Sequence, residues 1–301
     1  MMMKVGAAPI SWGACEVPGW GALLPWELVL DQMRDAGYEG TELGPPGYLP
    51  VDASLLSTAL ERRQLAMASA FVALRFSEPA HIEEDLRLAE STGALLSALG
   101  ATTMIVADAG SEERLMLAGD VGSRGGLSDA QWIAMAATLK HVAAVARKQG
   151  LRLAFHSHAG TYVETREELD RLCAMTNPDD VGLCLDTGHL AFGGADPVDV
   201  AHAYASRITY LHLKDVNKQA LQRVRAEHAG FREAVTQQVF TIIGEGDVDF
   251  DAVRGSLHDA GYAGWLIVEQ DARLPRAEGA PDELRIRAQR NRDAVRCIFG
   301  V

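Results

Sequence analysis

The sequence is poor in cysteine and has no long apolar run. Its four cysteines are scattered over 301 residues without a C-x-x-C pair, so neither a disulfide framework nor a cysteine-based zinc motif is expected. No apolar stretch reaches the roughly 18 residues that a membrane span requires. The opening Met-Met-Met-Lys leads directly into a strand-like segment, which is not typical of a secretory signal. We therefore expect a cytoplasmic protein with reduced thiols and no membrane partner.

Positive charge is scarce as well. The chain carries 41 acidic residues against 28 Lys and Arg, which gives a net charge of −13. Proteins that bind nucleic acid draw much of their affinity from a basic surface, so no nucleic-acid partner is expected. Apolar residues, in contrast, make up 48% of the chain, which is enough for a sizeable core.

Short apolar runs alternate with longer amphipathic ones along the chain. Eight of them are predicted strands, at 5–11, 40–43, 64–74, 103–107, 151–158, 181–186, 208–213 and 265–269. Eight strand–helix units are typical of a (β/α)8 TIM barrel. A doubly wound sheet is the alternative, but it usually has a G-x-G-x-x-G turn after strand one, where this chain has Ser11-Trp12-Gly13. We predict an α/β fold with a single TIM-barrel domain over residues 1–301.

The segment 217–246, after predicted strand seven, interrupts this regular pattern. It is too long for a plain connection between a strand and a helix, and its mixed composition indicates some helix. We predict that it passes over one end of the domain. As a lid, it would exclude water and shape specificity.

Polar residues with ligand chemistry gather where the predicted strands end. They are Glu42, His156, His158, Asp186, His189, His212 and Glu269. The active site of a TIM barrel lies at the carboxyl ends of its strands, and alternation places His156 and His158 on the same inward face. Imidazole and carboxylate groups that converge in this way suit Mn²⁺, Co²⁺, Zn²⁺ or Mg²⁺. The sequence therefore predicts a divalent-metal site.

Simpler interpretations stay open for several of these positions. Glu42 could cap a loop, and Lys214 with Asp215 could form a surface ion pair that contributes little. Trp12, Trp20 and Tyr48 could be ordinary packing at the barrel mouth, although aromatic walls also suit sugar rings.

At these residues the sequence resembles the xylose isomerase-like TIM-barrel superfamily of sugar isomerases and epimerases, and within it the inosose dehydratases. The matching stretches are 8–13, 40–44, 156–161, 185–189, 212–216, 244–250, 264–265 and 268–269. They extend from the first predicted strand to the eighth, so the resemblance covers nearly the whole chain.

The resemblance implies one divalent metal, Mn²⁺ or Co²⁺ first and Zn²⁺ or Mg²⁺ as alternatives. Its ligands would be His156, Asp186, His212 and Glu269. The candidate catalytic groups are His158, His189 and Glu269. The candidate substrate contacts are Trp12, Glu42, Glu164, Lys214 and Lys218. One departure matters, because most epimerases of the superfamily have a glutamate where His156 stands. His158 or Glu164 could instead be the strand-five ligand or base.

The implied chemistry is removal of a proton next to a ketone. If a β-hydroxyl then leaves, the reaction is the dehydration of a cyclic polyol ketone by a carbon–oxygen lyase of inositol catabolism. If the proton returns to another face or carbon, the reaction is isomerisation or epimerisation of a ketose. A sugar-binding barrel without catalysis is a third possibility. The expected partner is a small polyol or sugar, and a homodimer is possible.

Overall fold

Eight parallel strands form a closed barrel in the computed structural model, which describes residues 3–15, 17, 20–122, 124–274 and 280–301. The strand bounds are Lys4–Ala7, Gly40–Glu42, Ala66–Ser69 continued by Phe71–Leu74, Thr103–Asp108, Arg152–His156, Val181–Asp186, Ile208–Leu213 and Trp265–Val268. The two pieces of strand three stand at the opposite ends of the sheet order. Since one residue joins them, the sheet closes on itself, and the predicted TIM barrel is confirmed.

Helices surround the barrel. Those that follow the strands span Trp26–Asp35, Ala53–Glu61, Ile82–Ala98, Asp129–Lys148, Arg166–Met175, Pro197–Ala203, Phe250–Asp259 and Ala280–Phe299. Shorter helices span Glu112–Leu117, Thr187–Phe192, Lys218–Ala226 and Gly230–Thr236. None of the helices in the described part of the chain is both long and apolar enough to cross a membrane.

The first strand is shorter than predicted. It ends at Ala7, and a 3-10 helix follows over Pro9–Trp12. Pro9 stands at the first position of this helix, where its fixed φ and missing N–H are tolerated although they would interrupt a strand ladder. The apolar run at 5–11 therefore combines a strand with a tight turn.

Two layers of apolar side chains pack against the strands, one outside the barrel and one inside it. The outer layer lies between the strands and the helices and includes Phe155, whereas its neighbour His156 faces the barrel interior, as alternation predicted. The inner layer fills the barrel. It consists of Ala8, Ala68, Ile105, Ala154, Cys184, Tyr210 and Ile267. It fills the barrel below the cavity that opens at the carboxyl ends of the strands.

The excursion at 217–246 carries the two helices Lys218–Ala226 and Gly230–Thr236, and the short strand Phe240–Thr241 then pairs antiparallel with Asp215–Val216. The Asp215 carboxylate accepts hydrogen bonds from the backbone N–H groups of Gly244 at 2.8 Å and Gly246 at 2.9 Å. Asp215 is fully buried, so the surface ion pair considered from the sequence is wrong. Asp215 therefore connects the last residues of the excursion to the end of strand seven.

Candidate active site

A cavity of about 640 Å³ opens at the carboxyl ends of the strands. Its charged and histidine lining residues are Glu42, His156, His158, His212, Lys214, Arg232, Glu269 and Asp271. Much of the remaining lining is apolar and includes Trp20, Phe71 and Phe231. A volume of this size is typical of a small-molecule site, and the polar groups concentrate on the strand ends that the sequence singled out.

Three short contacts connect the four predicted metal ligands. His156 Nε2 lies 3.3 Å from Asp186 Oδ2, which lies 3.5 Å from His212 Nδ1. His212 Nδ1 lies 3.4 Å from Glu269 Oε2. These separations match the edge of a tetrahedron, about 3.4 Å, around a cation with bonds of about 2.1 Å. We call these four side chains the donor cluster.

The hydrogen bonds around the donor cluster orient His212 and Asp186. His212 donates from Nε2 to Glu42 Oε1 at 2.9 Å, and Asp186 Oδ1 accepts from the His189 backbone N–H at 2.8 Å. The fully buried His212 Nδ1 has no hydrogen-bond partner in the described chain, although two carboxylate oxygens lie within 3.5 Å. An orphaned nitrogen between two carboxylates is the environment that a divalent cation would satisfy.

The electrostatics of the donor cluster also favour a cation. Burial lowers the pKa of His212, but Cys184, Glu269 and Glu42 raise it more, so that the pKa lies well above its usual range. Cys184 lies close by, with its sulfur within 4.8 Å of nitrogens of His156 and His212. The negative potential that raises the pKa of the imidazole is the same potential that attracts a positive ion.

His158 lines the cavity as a neutral imidazole. Its Nδ1 donates to the Ala159 carbonyl oxygen at 2.7 Å, so the lone pair of the neutral ring is on Nε2. Burial, together with the neighbouring His156 and Lys214, lowers the pKa of His158 to about 3. At neutral pH the side chain is therefore an uncharged base beside the donor cluster.

His189 stands behind His158 and does not line the cavity. The two rings lie with centroids 3.7 Å apart. His189 Nδ1 accepts from the Ala159 N–H at 3.2 Å, and its Nε2 lies 2.9 Å from Lys214 Nζ. Because neighbours occupy both nitrogens, this position favours an orienting role over direct contact with substrate.

Lys214 is fully buried and surrounded by carboxylates. Its Nζ lies 2.8 Å from Asp271 Oδ1, 2.9 Å from Glu269 Oε2 and 3.5 Å from Asp186 Oδ2. Burial lowers the pKa of Lys214, but Asp186, Asp271 and Glu269 together raise it well above its ordinary value. The side chain is an ammonium ion at the wall of the cavity.

The sequence reasoning missed Asp271. The residue lies two positions beyond Glu269, and both line the cavity. The same spacing separates His212 from Lys214 and His156 from His158. A search for polar residues two positions past each predicted ligand would have found Asp271.

Three predicted substrate contacts do not line the cavity. Trp12 packs in the outer core, and its Nε1 donates to Gln32 Oε1 at 2.7 Å. Glu164 joins two loops, because its two oxygens accept from the backbone N–H groups of Gly119 and Gly160, each at 2.6 Å. Lys218 is exposed at the first position of its helix. Trp20, Phe71, Phe231 and Arg232 line the cavity instead.

Fold and site together define a TIM-barrel protein with a cluster of candidate metal ligands at its strand ends. The chain belongs to the xylose isomerase-like TIM barrel family, whose model matches residues 30–290.

Curated relatives and solved structures agree with this assignment. The chain is 37% identical to an inosose dehydratase of Geobacillus kaustophilus over 89% of this chain and 87% of the relative. It is 34% identical to an inosose dehydratase of Lacticaseibacillus casei over 98% of both chains. The crystal structure of the IOLI protein with a bound zinc atom superposes with a TM-score of 0.70 at 16% identity, over 99% of this chain and 98% of that one. The resemblance predicted from the motifs is confirmed.

Proposed function

We propose that this protein is a metal-dependent carbon–oxygen lyase that removes water from a cyclic polyol ketone of the inosose type, as part of inositol catabolism. The observation that carries the proposal is the position of His158, an uncharged base in the same cavity as His156, His212 and Glu269 of the donor cluster. The relationship to inosose dehydratases over most of both chains supports the substrate class.

His156, Asp186, His212 and Glu269 would hold the metal. A divalent metal bound there supplies Lewis-acid stabilisation of negative charge on the ketone oxygen. The mixed nitrogen and oxygen donors suit Mn²⁺ or Co²⁺, and Zn²⁺ or Mg²⁺ are alternatives. The zinc atom in the IOLI protein supports the use of this fold to hold a transition metal.

His158 is the general base of the proposed reaction. Its Nε2 takes the proton next to the ketone, and the electron pair of that C–H bond becomes the new ring double bond. The β C–O bond breaks, its electron pair leaves with the oxygen, and the α-proton and the β-hydroxyl together make one water. A positioned base contributes about 10²–10⁴-fold to such a step. Glu269, the other candidate base, is occupied by the donor cluster and by Lys214.

The wall of the cavity favours dehydration over epimerisation. Epimerisation by two carboxylates needs a second acidic residue at strand five, where this chain has His156. On the side of strands seven and eight stands an ammonium paired with a carboxylate, Lys214 with Asp271, 2.8 Å apart. Such a group donates hydrogen bonds, which suits a departing hydroxyl.

The test uses metal-stripped protein and scyllo-inosose, followed by NMR in D₂O with and without added Mn²⁺ or Co²⁺. We expect metal-dependent loss of water to a diketone. If metal binds and deuterium enters a ketose substrate without loss of water, the isomerase or epimerase alternative replaces this proposal. If metal binds and neither reaction is observed with any ketone, a sugar-binding barrel replaces it.

Two further expectations concern the setting of the enzyme. We place it in the cytoplasm and expect no nucleic-acid partner, as the low cysteine content and acidic charge predict. A homodimer remains a prediction, and sedimentation equilibrium of the full chain tests it.

A further inference from the structure

Lys214 contacts three carboxylates that differ in what else they touch. Asp186 and Glu269 belong to the donor cluster, and the atoms that approach Lys214 Nζ are Asp186 Oδ2 and Glu269 Oε2. Those same two oxygens lie within 3.5 Å of His212 Nδ1. A cation in the donor cluster would therefore compete with Lys214 for both of them. Asp271 is the carboxylate in this group without a place in the cluster.

Asp271 has Lys214 as its ionic partner. Its side chain is only 4% exposed, and its Oδ1 lies 2.8 Å from Lys214 Nζ without making an angle suited to a hydrogen bond. The contact is therefore an ion pair held by charge. A carboxylate buried in this way is unfavourable without a counter-charge, so the two side chains depend on each other.

The proposed base His158 and the Lys214 ammonium lie beside the same part of the cavity. His158 stands two residues past a predicted ligand on strand five, and Lys214 stands two residues past one on strand seven. His189 links them, because its ring centroid lies 3.7 Å from that of His158 and its Nε2 lies 2.9 Å from Lys214 Nζ. A substrate whose ketone faces the donor cluster would thus meet the base on one side and the ammonium on the other.

We propose, on the basis of the function proposed above, that Asp271 is a positioning residue that holds the Lys214 ammonium toward the departing β-oxygen of the substrate. When the donor cluster holds a metal, Asp271 keeps Lys214 at the cavity wall. The ammonium then donates a hydrogen bond to the oxygen that accumulates negative charge as the C–O bond breaks. The overall balance is unchanged, since the α-proton and the β-hydroxyl leave as one water.

The experiment separates the two halves of the reaction. Mn²⁺-loaded protein is mixed with scyllo-inosose in D₂O, and NMR follows both loss of water and entry of deuterium next to the ketone of unreacted substrate. In Asp271→Asn, proton removal continues but the hydroxyl leaves slowly. We expect the ratio of deuterium entry to water loss to rise about 10–100-fold, the usual cost of losing an orienting partner. Bound Mn²⁺ should equal that of the wild type.

Three further single variants and one double variant make the result specific. Lys214→Met should raise the same ratio, and adding Asp271→Asn to it should change the ratio less than about two-fold, because the two residues act as a unit. Asp271→Glu, which keeps the charge, should restore part of the water loss. Asp108→Asn removes another buried carboxylate, one that does not line the cavity, and should leave the ratio unchanged.

Each contrary outcome has its own meaning. If Asp271→Asn slows deuterium entry and water loss equally, or lowers bound Mn²⁺, the positioning role is refuted while the proposed function stands. An unchanged ratio refutes it too. If the wild type itself releases no water from scyllo-inosose, the proposed function fails and this inference fails with it.

Discussion

The two sides of the cavity hold basic side chains whose pKa values shift in opposite directions. At the end of strand five, burial and neighbouring positive charge lower the pKa of His158 to about 3, so the ring stays neutral. At the ends of strands seven and eight, burial also opposes charge, but the carboxylates raise the pKa of Lys214 well above its usual range. Burial opposes charge on both sides, yet one side carries an uncharged base and the other a cation.

This difference comes from the partners of the two side chains, because Lys214 is the more deeply buried of the two and is still charged. His158 has a carbonyl oxygen as its hydrogen-bond partner, whereas Lys214 has three carboxylates within 3.5 Å. Pairs of titratable groups whose pKa values are driven apart are the usual sign of an acid–base division of labour. Changing the partners should therefore break the division more effectively than changing the packing.

Removing the base should have the largest effect. In His158→Gln we expect the rate of water loss to fall about 10²–10⁴-fold, because the group that takes the α-proton is gone. The measurement is kcat with scyllo-inosose, together with bound Mn²⁺, which should not change. Loss of Mn²⁺ in this variant would mean that His158, and not only His156, is the strand-five ligand.

Because the base is active when deprotonated and its pKa is near 3, its titration should not limit kcat/KM between pH 5 and 8.

Removing the cation should destabilise the apoprotein. Lys214→Met leaves Asp271 buried without its counter-ion and removes one of the two cationic partners of Asp186 and Glu269. Breaking a buried pair in this way costs about 3–5 kcal/mol. Urea unfolding of metal-free protein measures the loss. Added Mn²⁺ should recover a large part of it, because a bound cation replaces the missing charge at two of the three carboxylates. If Mn²⁺ restores nothing, the donor cluster is not the cation site.

Asp108 is a buried carboxylate that does not line the cavity, and its pKa can be compared with that of Asp186 in the donor cluster. Burial raises the pKa of Asp108 to about 6, against the effect of hydrogen bonds from Gly110 and Tyr162. Burial acts on Asp186 in the same direction, but Lys214 and His189 lower its pKa well below the ordinary value. The folded protein holds the Asp108 proton more tightly than the unfolded chain does. Its contribution to stability is therefore complete below about pH 4 and is lost as pH rises through about 6.

The expected size of this effect is about 3 kcal/mol for a shift of about two pKa units. The free energy of unfolding of Asp108→Asn, measured from pH 4 to 7, should lack this decline, while the wild type shows it. A wild-type profile that rises over the same interval would contradict the raised pKa.

The barrel was predictable from the sequence because its eight strands are short apolar runs bounded by turns. Predicted bounds failed where a local device interrupts the ladder, as at Pro9, which begins a turn, or at Ala70, where strand three breaks. Neither interruption changes the apolar pattern. Hydrophobic periodicity reports which face is buried and is insensitive to such local changes in hydrogen bonding.

The donor cluster was predictable for a related reason, since alternation along a strand determines which side chains face the axis. The residues that line the rest of the cavity were not predictable in this way. Phe231 and Arg232 reach the cavity from the excursion, and nothing in the spacing of residues 217–246 indicates which of them turn inward. Trp12, Glu164 and Lys218 carry suitable chemistry, but loops and helix starts direct them elsewhere. Loop geometry depends on tertiary contacts that a single sequence does not display.

We expect the smallest effect from a change at Glu42. This change tests whether Glu42 orients a metal ligand or is itself a ligand. Glu42 accepts from His212 Nε2 at 2.9 Å and so directs Nδ1 toward the donor cluster. Glu42→Gln keeps the shape but weakens this acceptor, and we expect Mn²⁺ affinity to fall about 10–100-fold, as for other partners of ligating histidines. Titration calorimetry on metal-stripped protein measures the change. The matched control is Glu164→Gln, at a carboxylate that accepts from two loop backbone N–H groups and does not line the cavity. Because the ligand remains in place, saturating Mn²⁺ should restore most of the activity. Complete loss of Mn²⁺ binding would instead make Glu42 itself a ligand and would reassign the centre toward the group formed by Glu42, His212 and Glu269.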